Sequence, residues 1–192
     1  MSLTNTQLND LAKRMGFKLE AVVFKSELKD MKLKHNVGYI CNLENEFSDD
    51  GERNEGSHYT CFQSNKNFNG KVENIYFNSY GVACPEEVLD LLGVKHVPYN
   101  TKDIQSLQQH FCGWACIAFL YFINAYHNRT KSLYDDAEGF TELFKDLNTS
   151  SDHKYNEYVL KSMFQSSCPK IRAANPVTVF SPGDFRPVPE KC

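Results

Sequence analysis

The sequence predicts an α+β fold, strands first and helices after. Three short apolar stretches, VGYICNL (37–43), HYTCFQ (58–63) and VENIYFN (72–78), stand close together and are separated by polar or turn-rich segments. Helical patterns dominate after Pro85. Among them, Cys112 to Ala125 is apolar almost all round, as expected of a helix buried on every side. The 192 residues suit a single domain spanning 1–192.

The elements follow in order. Asn5 or Thr6 is expected to cap a first helix, with Leu8, Leu11 and Met15 on one face and Gly16 as its stop. Ala21 to Phe24 is a short apolar run with β-branched residues. Val37 to Leu43 reads as a strand. The segment ENEFSDDGERNEGS is polar, and its acidic run reads as a solvated surface loop. His58 to Gln63 is the next strand. SNKNFNGK is rich in turn formers and ends in Asn69-Gly70, a hairpin signal. Val72 to Asn78 follows as its partner, so the three strands should form an antiparallel meander. Pro85 opens PEEVLDLLG, a helix with acidic residues in its first turn and Gly93 at its end. His96 to Tyr99 and Lys102 to Leu107 are each expected to add a short extended segment. Cys112 to Asn128 is the central helix. Two amphipathic helices are expected near Ala137 to Leu147 and Lys154 to Gln165. The tail from about 176 carries Pro176, Pro182, Pro187 and Pro189 and should be extended.

Composition excludes several classes. The hydrophobic fraction is 41% and the charged fraction 23%, so the chain is not globally disordered. The 14 Phe and 10 Tyr supply ample core material. A net charge of −3 argues against a nucleic-acid binder that relies on bulk positive charge. No apolar run near the N-terminus reads as a signal peptide, and Cys112 to Ala125 is shorter than the about 20 residues of a membrane span. Neither secretion nor a membrane partner is therefore expected. Seven cysteines cannot all pair internally, and without export the thiol is the default state. Cys112 and Cys116 are the one closely spaced pair, and no matching His or Cys pair stands elsewhere. Zinc, or any other metal or cofactor, is accordingly not expected. Asn128-Arg129-Thr130 fits a glycosylation sequon but has no meaning in a chain that is not exported. There is no internal repeat, glycine-rich phosphate loop or paired-carboxylate motif.

The chemistry-bearing residues are one His, one Cys and their surroundings. Gly56-Ser57-His58-Tyr59 places a histidine where a loop enters a strand, and Asn78 ends the strand after the hairpin, so the two are expected side by side. Ile104-Gln105 precedes Phe111-Cys112-Gly113-Trp114, with Cys112 opening the apolar helix. Unsatisfied N–H groups and the helix dipole favour an anion there, which lowers a thiol pKa, and a nearby imidazolium lowers it further. The Cys112 N–H and a nearby Gln amide can serve an oxyanion, each hole donor being worth about 2.7–4 kcal/mol. Asn78 can orient the imidazole.

Taken in order, YICNL, GSHY, IYFNSYG with a Pro-Glu-Glu helix, IQ and CGWAC resemble the adenovirus-type (adenain-like) maturation protease family, itself related to the ubiquitin-like-protein proteases. The similar stretch runs from about Val37 to Tyr126, close to half the chain. The resemblance implies a papain-like architecture in circularly permuted order, His before Cys, with a mixed or antiparallel sheet packed on a buried helix that starts at the nucleophile. It also implies His58 as general base, Asn78 as orienting residue, Gln105 as oxyanion donor and Cys112 as nucleophile. Two positions depart from the family pattern: an acid usually stands at the place of Asn78, and Trp at that of Tyr59. Asn supplies no negative charge to the imidazole, and the aromatic at 59 must pack differently.

Simpler readings stand beside these. Asn78 is also a common strand-end turn residue. His110 is a rival base, and Gln108 and Gln109 compete with Gln105, although the family spacing favours Gln105. Cys41, Cys61 and Cys84 read as packing residues, and Cys116 should face the same core side as Cys112. Cys168 reads as incidental and Cys192 as exposed. Trp114 fits either the core or the cleft. The expected activity is a thiol endopeptidase of a DNA virus or related element; the resemblance implies capsid or core precursor proteins as substrates, cut beside small residues such as Gly. Host cytoplasm or viral factory, and the virion, are the expected locations, with a monomer as the expected state. DNA dependence is not expected, while a peptide activator stays open. The alternatives are a protease for ubiquitin-like conjugates and a catalytically dead binding module of the same fold.

Overall fold

The computed structural model describes residues 3–107, 109–126 and 132–164. Its centre is a mixed sheet built from the apolar stretches of the first half. β1 (Leu19–Phe24) runs parallel to β2 (Val37–Asn42), and β3 (Tyr59–Lys66) and β4 (Val72–Phe77) continue antiparallel, in spatial order β1-β2-β3-β4. The last three strands are the expected meander, with Asn42 opposite Tyr59 and Cys61 opposite Phe77. Asn67 closes the hairpin, its side-chain oxygen accepting from the N–H groups of Asn69 and Lys71 at 3.0 and 2.9 Å.

Alternation along the strands sends Ile40, Cys61, Ile75 and Phe77 to one face and Tyr39, Phe62 and Tyr76 to the other. Both faces are covered, so β2 is buried along its whole length and reads as a continuous apolar run. Helices α1 (Asn5–Met15), α3 (Cys112–Tyr126), α4 (Leu133–Thr141) and α5 (Ser150–Phe164) cover the first face. The second is covered by a 3₁₀ turn at Lys25–Asp30, by α2 (Glu86–Leu92) and by Val97. α3 lies directly on the sheet. Phe119 stacks on Phe77 at 4.5 Å, and Phe140 of α4 meets both edge-on at 5.4 and 5.5 Å. The chain is thus α+β, with a buried helix under a mixed sheet.

Several boundaries differ from the sequence expectation, mostly because side chains cap the helices. α1 is capped by Thr4, not by Asn5 or Thr6: Thr4 Oγ1 accepts from the Gln7 N–H at 3.3 Å and Gln7 Oε1 from the Thr4 N–H at 2.9 Å. The same reciprocal pair, Ser132 with Asp135, starts α4 four residues early, and the helix ends at Thr141 rather than near 147. Thr149 and Asp152 likewise start α5 at Ser150. Tyr99 makes a parallel bridge to Tyr76, whereas Lys102 to Leu107 forms no strand, since the N–H groups of Ile104 and Gln105 both donate to the Ser79 carbonyl at 2.9 and 3.1 Å. The expected end of the central helix at Asn128, the sequon, Cys168, Cys192 and the Pro-rich tail lie outside the described residues. Cys41, Cys61, Cys84, Cys112 and Cys116 are free thiols. Among the described residues no helix is long and apolar enough to cross a membrane.

Candidate active site

His58 stands immediately before β3, and its carbonyl accepts from the Leu43 N–H at 2.9 Å, which ties it to the end of β2. The approach is a tight turn at Gly56, whose φ of 91° and contact with the Asn42 side chain leave no room for a Cβ. Asn42 organises this turn, accepting from the N–H groups of Glu44 and Ser57 at 3.0 and 3.3 Å.

Asn78 follows β4. Its side-chain oxygen accepts from the Tyr80 N–H at 2.9 Å and contacts His58 Nε2 at 2.9 Å. A backbone N–H can only donate, so the atom facing it is the oxygen, and His58 Nε2 must carry the proton to bond the same atom. The neutral imidazole then keeps its lone pair on Nδ1. That nitrogen is buried and has no hydrogen-bond partner among the described residues. Asn100 clamps Asn78 from behind, accepting from its N–H at 2.9 Å and donating to its carbonyl at 2.7 Å.

Gln105 is joined to the same turn. Its Oε1 accepts from Ser79 Oγ at 3.0 Å, and its Nε2 donates one of its two hydrogens to the Gln109 carbonyl at 2.6 Å. Gly81, with φ 66°, lets the turn after Asn78 pass close to this loop; a Cβ there would lie 2.6 Å from the Thr101 carbonyl oxygen.

Cys112 is the first residue of α3, and the Phe111 carbonyl accepts from the Ala115 N–H at 2.9 Å. Gly113 allows this helix start to settle against β3: a Cβ there would be 3.2 Å from Leu8 and 3.5 Å from the Tyr59 ring. Burial pushes the Cys112 thiol above its ordinary value, opposed by the backbone of Tyr59, Gly113 and Cys112 itself. The helix start therefore acts on the sulfur as expected, but desolvation outweighs it. Burial also lowers His58, opposed by its bond to Asn78. Both shifts favour a neutral thiol and a neutral imidazole in the resting chain.

His58 and Asn78 are thus hydrogen-bonded, Gln105 is bonded to the residue next to Asn78, and Cys112 lies at the backbone of the residue next to His58. His58 and Cys112 are not hydrogen-bonded to one another: among the described residues the only side-chain bond of His58 is to Asn78, and its Nδ1 makes none. His110 is exposed. Gln109 turns out to be the partner of Gln105, and Gln108 lies outside the described residues. Trp114 packs edge-on against Phe164 of α5 at 5.0 Å. Tyr59 is buried with its hydroxyl donating to Asn5 of α1 at 2.6 Å.

The aromatic on the histidine is instead Tyr80, whose ring stacks on the imidazole with centroids 4.0 Å apart and planes within 14°. Tyr80, Asn100 and Asn42 were not singled out by sequence reasoning. Of the three, Tyr80 lies within IYFNSYG and Asn42 within YICNL, whereas Asn100 lies in neither. Among the described residues no cluster of three or more His, Cys, Asp or Glu stands ready to hold a metal. Searched against known proteins, the chain matches no protein-family model, and no curated protein matches it in sequence.

Proposed function

We propose that the protein is a cysteine endopeptidase in which Cys112 attacks a peptide carbonyl and His58 takes the thiol proton. The observation that carries this reading is the His58–Asn78 bond of 2.9 Å through Nε2, which leaves Nδ1 with its lone pair, buried and without a hydrogen-bond partner among the described residues. Because both groups rest neutral, proton transfer accompanies attack. The tetrahedral oxyanion then meets the Cys112 N–H and the remaining Gln105 amide hydrogen. His58 returns the proton to the leaving amine, and water hydrolyses the acyl-enzyme by the same route. The order of His on the sheet before Cys on a later buried helix is compatible with a permuted papain-like arrangement. By the motif resemblance the substrates are capsid or core precursor proteins of a DNA virus or related element, cut beside small residues such as Gly.

The test incubates wild type and Cys112→Ala with candidate precursors containing Gly sites, and with a fluorophore attached to a ubiquitin-family C-terminus. Cleavage of the precursors by wild type alone is the expected result. Release of the fluorophore in preference assigns the conjugate protease instead, and cleavage by Cys112→Ala at the wild-type rate overturns the assignment.

A second reading, a catalytically dead binding module, is favoured by one observation: His58 and Cys112 make no hydrogen bond and each is shifted toward its neutral form. It predicts that no cysteine alkylates in a His58-dependent way.

A further inference from the structure

Tyr80 belongs to none of the four positions that the motifs single out, yet it contacts two of them directly. Its ring covers one face of the His58 imidazole at 4.0 Å, and its N–H donates to Asn78 Oδ1 at 2.9 Å. Burial pushes its hydroxyl pKa up, opposed by the Gln105 side chain. Among the described residues the His58 side chain makes a single hydrogen bond, through Nε2. A ring held at one point can pivot about that bond, and pivoting swings Nδ1 away from its target. A second ring stacked on its face removes this freedom. It also shields the His58–Asn78 bond from water on that side, which strengthens it. Among the described residues no other ring stacks on His58; Tyr59, the neighbour in sequence, is anchored to Asn5 at 2.6 Å.

We propose that Tyr80 is a positioning residue whose ring holds the His58 imidazole in the plane where Nε2 meets Asn78 and Nδ1 stays open to receive the Cys112 proton. This rests on the thiol-protease reading of the site. The backbone N–H of residue 80 survives every substitution, so side-chain variants isolate the ring.

The test follows alkylation of Cys112 by iodoacetamide at neutral pH, resolved by peptide mass spectrometry, in the full chain. It compares wild type, Tyr80→Phe, Tyr80→Leu and His58→Ala, with thermal unfolding as the control for folding. Tyr80→Leu is expected to react about tenfold more slowly than wild type, and Tyr80→Phe to stay within about threefold, as loss or retention of an aromatic pair implies. With a cleaved substrate, kcat falls for Tyr80→Leu while KM is unchanged. A side chain that merely covered the site would give the opposite result, because its removal exposes Cys112 and speeds alkylation. If Tyr80→Leu does not fold, Tyr80→Met carries the same comparison.

A Tyr80→Leu rate equal to or above wild type overturns the proposal. So does a Tyr80→Phe rate as slow as that of Tyr80→Leu, since the hydroxyl would then be responsible. If wild type reacts no faster than His58→Ala, the thiol is not activated and the protease reading falls together with the role of Tyr80.

Discussion

At the scale of single residues, Asn78 is the most informative position. It receives two donors on one oxygen, His58 Nε2–H and the Tyr80 N–H, each at 2.9 Å. A carboxylate oxygen accepts both equally well and adds a charge beside the imidazole. Asn78→Asp should therefore stabilise the imidazolium, raise the His58 pKa and favour the thiolate of Cys112. The expected outcome is several-fold faster alkylation of Cys112 at pH 6.5, whereas Asn78→Ala slows it. Equal rates for all three proteins would show that His58 is not oriented from this side. Cys112 teaches the complementary point. Its place at a helix start predicts a lowered thiol pKa, but its burial in the packed chain wins. The type of residue and its place on a helix are written in the sequence, while the desolvation it meets depends on the whole surrounding shell.

At the scale of elements, the candidate site draws on four pieces: the entry to β3, the turn after β4, the loop that carries Gln105 and the start of α3. Gly81 couples the second piece to the loop that carries Gln105. A residue with a Cβ there meets both a left-handed backbone, φ 66°, and a contact of 2.6 Å with the Thr101 carbonyl oxygen. Gly81→Ala is expected to destabilise the protein by about 1–3 kcal/mol in urea unfolding. It should also lower the alkylation rate of the folded fraction, because Asn78 and Gln105 are displaced together. An alanine variant as stable and as reactive as wild type would mean that this loop adapts freely. The strands and helices themselves were largely legible: alternation, the Asn-Gly hairpin and the glycine stops need only neighbouring residues. The misplaced starts of α1, α4 and α5 came from reciprocal side-chain caps at Thr4, Ser132 and Thr149, which set a boundary more firmly than the apolar pattern does.

At the scale of the whole molecule, the burial of His58 links the candidate site to stability. The unfolded chain binds an imidazole proton near the ordinary value of about 6.5. Folded His58 does so only at lower pH, because burial disfavours its charge. Between these two values the unfolded state holds more protons, so this residue makes stability fall as pH drops from about 6.5 toward the folded value. Above that window both states are neutral, and His58 contributes no slope. Urea unfolding across pH 5 to 7 should therefore show a shallower acid-side loss for His58→Ala than for wild type. Parallel curves would mean that the folded imidazole titrates as freely as the unfolded one.

Local pattern specified the α+β order, the meander and the buried central helix, because each depends on residues near it in the chain, while the ordered motifs and the resemblance they carry marked His58, Asn78, Gln105 and Cys112 as candidates. The tertiary structure decided how they are used. It selected Nε2 of His58 for Asn78, brought Asn100 behind that amide, laid Tyr80 on the imidazole and turned Tyr59 toward α1. These are contacts between segments far apart in sequence. The protonation of the site is set by how completely such segments exclude water, a quantity that no single stretch of sequence contains.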